Sequence, residues 1–375
     1  MTVYEHGPYE PKPLDDMEPE GLDQVDEVTD WSSLADEYPH AGVPVDELLQ
    51  RLAGDAQMPD ARQFVALSDL SLADMALVRS AWPSIPVERR RQVLRHLIGQ
   101  AAENLTLLLG RLLRIALTDA DADVRRQAIQ GLWEDDDPSL IGPLVALLQH
   151  DPEESVRAAA ATALGTFVLA GELSELDSAL AMRAEEALLA VLHDENEALE
   201  VHCPALESIA YSGEVGVRQL IESAYYSTQE ELRLSAVSAM GRSADVRWRS
   251  LVQAELHSTS AAMRAQAANA CAELEVQTAL RDLVELLMED SDRSVRLACI
   301  HALGRIGGRD AREALESVVA SGDAKEAAAA NLALEEMVFY ADGGSIPLYD
   351  EGLEELDEWD VESWDDEEDE EEDGP

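Results

Sequence analysis

The chain has 375 residues, with 78 Asp and Glu against 27 Lys and Arg, a formal net charge of −51 and 46% hydrophobic residues. So much apolar material excludes a chain that is disordered throughout. So much negative charge argues against binding to nucleic-acid phosphates or anionic membrane surfaces, because both depend on attraction to basic groups.

Residues 1–50 hold 14 acids and one base, Lys12, a net of −13. Breakers such as Gly7-Pro8 and Pro11-Lys12-Pro13 recur there. Such a segment buries too little surface to offset its conformational entropy, which predicts an acidic, disordered stretch over 1–43 and order from Pro44 onward. Met1 to Glu10 has neither a basic n-region nor an apolar h-region, so no export signal is expected. Pro44 to Leu52 reads as a short amphipathic helix with proline in its first turn. Ser71-Leu72-Ala73-Asp74 has the spacing of a capping box ahead of a helix over Met75 to Trp82, which Pro83 stops. Residues 44–110 are therefore read as cap helices and one degenerate repeat beginning near Arg89-Arg90.

From there the chain repeats itself. Val156-Arg157-Ala158-Ala159-Ala160-Ala161-Thr162-Ala163-Leu164-Gly165 returns as Val295-Arg296-Leu297-Ala298-Cys299-Ile300-His301-Ala302-Leu303-Gly304. Looser copies start at Val124, Val201, Leu232, Met263 and Glu326, so successive starts lie 32, 45, 31, 31, 32 and 31 residues apart. The interval of 45 predicts an insertion near 166–180. In every copy but the last, which starts at Glu326, an apolar start residue is followed by small residues four and seven positions later, on one face of a helix. An amphipathic helix precedes each copy, as in Ile141–Leu148 and Leu280–Leu287. Neither helix of a pair buries its face alone, so the pairs must stack. Asp119, Asp151, Asn196, Ser227, Ser258, Asp290 and Ser321 stand five positions before the starts. All are turn or cap formers that break the chain between the helices. Arg125, Arg157, His202, Arg233, Arg264 and Arg296 stand one position after the starts.

The repeats occupy 111–340, ending in an arginine-poor unit and Gly343-Gly344. Residues 341–375 carry 18 acids and no base, a net of −18, which predicts a second disordered flank. Leu353, Leu356, Trp359 and Trp364 stand among those acids. The first three are each three apart, as in a short amphipathic helix that forms on binding.

The register of aspartate and arginine, with an apolar residue before the arginine, resembles the HEAT repeat, in particular its short phycobilisome-lyase-like variety. The block as a whole is also similar to bacterial HEAT-repeat proteins of unassigned activity. The resemblance implies an all-α, right-handed α-solenoid of stacked helix pairs, HEAT- or armadillo-like, with acidic disordered flanks. It further implies a ladder of Asp–Arg hydrogen bonds along the stack. With Ser and Asn at several aspartate positions, fewer of those bonds are expected here.

Catalytic templates do not fit. Deoxyhypusine hydroxylases are HEAT-like and bind two irons through His-Glu dipeptides, yet none of the eight histidines here precedes Glu. No phosphate-binding Gly-x-x-x-x-Gly-Lys-Ser/Thr loop and no Gly-x-Ser-x-Gly elbow occurs. His202 and Cys203 are adjacent on a helix and so point about 100° apart, which is no dyad. Cys203, Cys271 and Cys299 are too few and scattered for a disulfide framework or zinc site, and read as buried small residues in a reducing cytoplasm. The longest uncharged run, Ala158 to Gly171, is 14 residues, against about 20 for a membrane span.

No catalytic, cofactor-binding or metal residue is expected, and no cofactor. The expected function is a cytoplasmic, monomeric, non-catalytic scaffold binding a protein or peptide on the solenoid surface. Candidate partner-binding residues are Arg125, Arg157, His202, Arg233, Arg264 and Arg296, a stripe whose arginine forks suit carboxylates. Arg242, Arg247, Trp248 and Arg249 form a second candidate patch, beside Tyr225-Tyr226. Self-contact between the tail motif and the arginine row is a further expectation. The competing readings are an enzyme or enzyme accessory on a HEAT frame, and an acidic chaperone or mimic that shields basic proteins through its flanks.

Overall fold

The computed structural model describes residues 43–341, apart from 55, 56, 103, 105 and 322. Both acidic flanks and the motif Leu353, Leu356, Trp359 and Trp364 lie outside the described residues. The described residues form helices joined by turns, so the class is all-α. They divide after Phe167 into two compact units.

The first unit holds α1 (Val45–Ala53), a 3-10 turn (Ala61–Leu67), α2 (Leu72–Ala81), α3 (Val87–Ala101), α4 (Gly110–Ala116), α5 (Ala122–Gly131), α6 (Ile141–His150) and most of α7 (Glu154–Glu172). The second holds the end of α7, then α8 (Ser178–His193), α9 (Leu199–Ile209), α10 (Val215–Tyr225), α11 (Glu230–Arg242) and α12 (Arg249–Glu255). It continues through α13 (Ala261–Glu273), α14 (Leu280–Glu289), α15 (Arg293–Ile306), α16 (Arg309–Ser321) and α17 (Ala324–Ala341). Even-numbered helices open each pair and odd-numbered helices close it. In the second unit α9, α11, α13, α15 and α17 pack successively on one another, and each also packs on the helix before it. In the first unit α3 packs on α5 in the same way. This is the stacked-pair solenoid class expected from the repeats.

Local chemistry sets the helix starts. Ser71 Oγ accepts from the Asp74 amide at 3.1 Å, and the Asp74 carboxylate accepts from the Ser71 amide at 3.2 Å, closing a capping box on α2. Asp121 and Asp292 cap α5 and α15 by accepting from Val124 N and Ser294 N, at 3.1 and 2.8 Å. Asp119, Asp151 and Asp290 stand earlier than a cap. Each accepts from the amide two residues on, at 2.8 to 3.0 Å, and so folds the turn itself.

The recurring apolar positions become core. Val156, Ala160 and Leu164 are fully buried on α7, as are Val295, Cys299 and Leu303 on α15. Each large aliphatic so buried contributes about 1.5–3 kcal/mol. The small positions set how closely helices approach. A Cβ on Gly304 would lie 2.8 Å from the Ala333 Cβ and 3.2 Å from its Cα, so α15 and α17 could not keep their spacing with any larger residue. The interval of 45 is filled by α7, at 19 residues, and α8, at 16, with Ser174 between them at φ 61. Pro204 lies inside α9, where its ring removes one hydrogen bond of the helical ladder.

Candidate interaction surface

The starts of α5, α13 and α15 each place one basic side chain beside the turn that precedes the helix. Arg125 donates from Nη1 to the Asp119 carbonyl at 2.8 Å, Arg264 to Ser258 O at 2.9 Å, and Arg296 to Asp290 O at 2.9 Å. The same guanidinium then reaches the next repeat. Arg125 donates from Nε and Nη2 to the two oxygens of Asp151, each at 2.7 Å. Arg264 does so with Asp290 at 2.6 and 3.0 Å. Arg296 meets Glu326 Oε1 at 2.6 Å. The bidentate geometry of Arg125 and Arg264 is the strong form of the charge-assisted bond.

These pairs shift both partners. The bond from Arg264 is the main reason the Asp290 carboxyl lies below its ordinary range, while burial opposes the shift. At Asp151 burial pushes upward, yet the bonds from Arg125 and from the Glu153 amide hold the group low. Arg125, Arg264 and Arg296 are correspondingly raised, each chiefly by the hydrogen bond to its carboxylate.

The ladder has a rung the repeat register did not identify. Arg90 pairs with Asp119 at 2.9 Å, both nearly fully buried, and Asp119 also accepts from Trp82 Nε1 at 2.7 Å. Its sequence signal was the degenerate copy near Arg89-Arg90, and Arg90 stands fourth in α3 as Arg125 stands fourth in α5. The last rung was missed because its acid is displaced from the turn. Glu326 replaces an aspartate of the turn and reaches back from the first turn of α17.

The middle positions are built differently. Arg157 donates to Asp151 O at 2.8 Å and is engaged further. His202 Nε2 lies 3.0 Å from the carbonyls of both Val191 and Asp194. Both are acceptors, so this nitrogen carries the proton. Arg233 donates to Ser227 O at 3.1 Å, is half-buried, and has no carboxylate in ion-pair range among the described residues. Ser258 stands where Asp290 stands in the following repeat.

The second candidate group is not a continuous basic patch. Trp248 is buried, and its Nε1 has no partner among the described residues. Arg247 pairs with Asp245 at 2.6 Å, and Arg249 donates to Leu274 O at 3.0 Å. Arg242 pairs with Glu207 at 3.3 Å and lies 5.8 Å over the Tyr211 ring. Tyr225 donates its hydroxyl to Glu255, and burial and that carboxylate push it up to about 12. Tyr226 stays exposed.

Sequence reasoning also missed a groove of about 290 Å³ in the first unit, lined by α5, α6 and α7. Ile129, Leu144, Ala163 and Phe167 lie along it, and Trp133 borders it with 70% of its surface exposed. The visible signal was the run Trp133-Glu134-Asp135-Asp136-Asp137.

Nucleophile chemistry finds little support. Burial raises all three thiols, and Cys271 and Cys299 are pushed to about 12, so they are protonated at neutral pH. Among the described residues no group of three or more His, Cys, Asp or Glu side chains is placed to hold a metal ion. No described helix is long and apolar enough to cross a membrane.

The family model for HEAT repeats matches residues 110–187 and 249–335. The chain carries HEAT repeats over those residues. The match is to HEAT repeats at large and does not identify the lyase-like variety. Among solved structures the chain is similar to human deoxyhypusine hydroxylase in complex with glycerol, at 19% identity over 71% of this chain and 96% of that one, with a TM-score of 0.33. It is similar to importin beta at 15% identity, TM-score 0.41, over 81% of this chain and 47% of that one. Kap95 in its complex with Nup1 matches at 16% identity and TM-score 0.41, over 82% and 48%. The chain thus spans about half the length of importin beta and of Kap95. A comparison with curated proteins finds no match.

Proposed function

We propose that this HEAT-repeat protein is a non-catalytic scaffold that binds partner proteins on the surfaces of its helix pairs. The observation that carries the reading is the uneven use of the recurring basic position. At Arg125, Arg264 and Arg296 the guanidinium is held by a carboxylate of the next repeat. At Arg233 the same register meets Ser258, and the guanidinium holds only a carbonyl. A half-buried arginine with donors to spare suits a carboxylate from outside. Arg233 is therefore the member of the row assigned to partner contact, and Arg242, on the same helix, offers a second contact beside Tyr211. Arg125, Arg157, His202, Arg264 and Arg296 support the frame that positions them.

The test is capture of binding proteins from the native host by the full-length chain, followed by calorimetry of the purified pair. Arg233→Ala should weaken the captured partner about tenfold, as loss of one charge-assisted contact does. Absence of any saturable partner would end the scaffold reading.

A further inference from the structure

We infer that the groove between α5 and α7 is a docking site for a basic peptide segment of a partner protein, anchored by one large apolar side chain. The inference rests on the scaffold reading for there being a partner. It adds a surface remote in sequence from Arg233 and fixes the partner's chemistry.

The groove is a product of small side chains. Ala159 and Ala163 on α7 leave space opposite Ile129 on α5, with Leu144 and Phe167 closing the floor. About 290 Å³ admits one aromatic or branched aliphatic side chain. Trp133 follows the end of α5 at the mouth, and an indole 70% exposed leaves apolar surface in water that a ligand would cover.

Charge then selects the occupant. Four acids, Glu134 to Asp137, follow Trp133 directly. Arg114 meets Asp135 at 2.8 Å and Asp137 at 3.1 Å. Glu134 and Asp136 are exposed and have no ion-pair partner among the described residues. The mouth is thus negative, with one arginine against four carboxylates. The chain's own flanks do not match it, since residues 1–42 carry 12 acids and one base and residues 342–375 carry 18 acids and none. A second copy would bring a charge of −51 with it. Nucleic acids and anionic lipids are repelled for the same reason. A cationic polypeptide satisfies both halves of the surface. Its apolar side chain enters the groove beside Trp133, and its Lys or Arg residues meet Glu134 and Asp136.

The experiment uses the full-length chain and a fluorescein-labelled, lysine-rich peptide with a single central phenylalanine. Its control has serine in place of phenylalanine, which measures attraction to the acidic flanks alone. By fluorescence anisotropy the phenylalanine peptide should bind about tenfold tighter than the control. Trp133→Ala and Ala163→Leu, the second filling the groove, should each erase that preference and leave control binding unchanged. Glu134→Gln with Asp136→Asn should reduce the salt dependence of the phenylalanine peptide. Unchanged thermal midpoints establish that the variants fold. Equal binding of the two peptides, or a preference that survives both groove variants, overturns the proposal. If the preference is absent while Arg233-dependent capture persists, only this inference fails. If capture also fails, the scaffold reading fails with it.

Discussion

Within the second unit, α13 and α15 begin with arginines locked onto carboxylates, whereas α9 and α11 begin with His202 and Arg233, which hold only carbonyls. The difference originates in the turn before the next closing helix. Asp290 presents an acid there and Glu326 one in the first turn of α17, and Ser227 and Ser258 do not. A carboxylate turn satisfies its own backbone and ties two repeats together. A serine turn does only the first: Ser227 Oγ accepts from Gln229 N at 3.1 Å and binds nothing in the repeat before it. The middle also carries Pro204 inside α9, a second local cost absent from α13 and α15. One fold thus holds tightly clamped and loosely clamped repeats, and among the loosely clamped ones Arg233 keeps guanidinium donors that no described carboxylate holds.

The most direct way to break this comparison is to cut a strong rung and a weak one. Arg125→Ala leaves Asp151 buried without its counter-charge, since the two side chains are only 9% and 3% exposed. It should cost about 3–5 kcal/mol, read from the urea midpoint. Arg233→Ala loses one bond to a carbonyl and should cost about 1 kcal/mol. Equal losses would show that the carboxylate rungs are not what distinguishes the repeats.

Pro204→Ala addresses the second local cost. An interior proline costs about 3 kcal/mol in a regular helix, and some of that is relieved by the packing around α9. A gain of about 1 kcal/mol or more in thermal or urea stability is expected. No gain would mean that α9 has already adapted fully to its proline.

Rebuilding a rung should have a smaller effect. Ser258→Asp places a carboxylate where Asp290 stands one repeat later, within the register of Arg233. A stabilisation of about 0.5–1.5 kcal/mol is expected, together with loss of Arg233-dependent partner capture. Stabilisation without loss of capture would separate the ladder from the binding role.

Acid titration sharpens the same contrast. Asp290 has a folded pKa below its ordinary 3.8, so its stabilisation is present above that value and lost as pH falls through the depressed one. Asp290→Asn should therefore flatten the acid limb of the stability curve below about pH 4. Glu273 behaves in the opposite sense. Burial raises it above its ordinary 4.5 despite Arg242 and Arg305, so its contribution is present at low pH and lost as pH rises through the raised value. Glu273→Gln should slightly stabilise the protein at neutral pH. An unchanged acid limb in Asp290→Asn would show that this rung does not govern the pH response.

Much of this was legible before any coordinates. The copies beginning at Val156 and Val295 placed α7 and α15, and the capping box at Ser71 placed the start of α2, because both are local chemistry at fixed spacing. The site was less legible. Trp248 reads as part of a basic patch, yet the fold buries it while Arg247 and Arg249 turn to Asp245 and to a carbonyl. Trp133 stood unremarked in a loop, although its exposure and the groove beside it are the features that suggest a ligand. Arg90 escaped because its copy of the repeat is degenerate, although its partner Asp119 stands at the turn position of the next copy, and Glu326 escaped because it lies beyond the turn position, Ser321, that it replaces.

The sequence alone determined the helix-pair repeat, its period, the long interval around α7 and α8, and the concentration of charge in two flanks. These follow from periodicity and composition, which act over a few turns of chain. Only the tertiary structure decided which basic residues are occupied. A guanidinium is satisfied by whichever acceptor the neighbouring repeat brings within about 3 Å, and that distance is set by packing between helices, not by the order of residues along one.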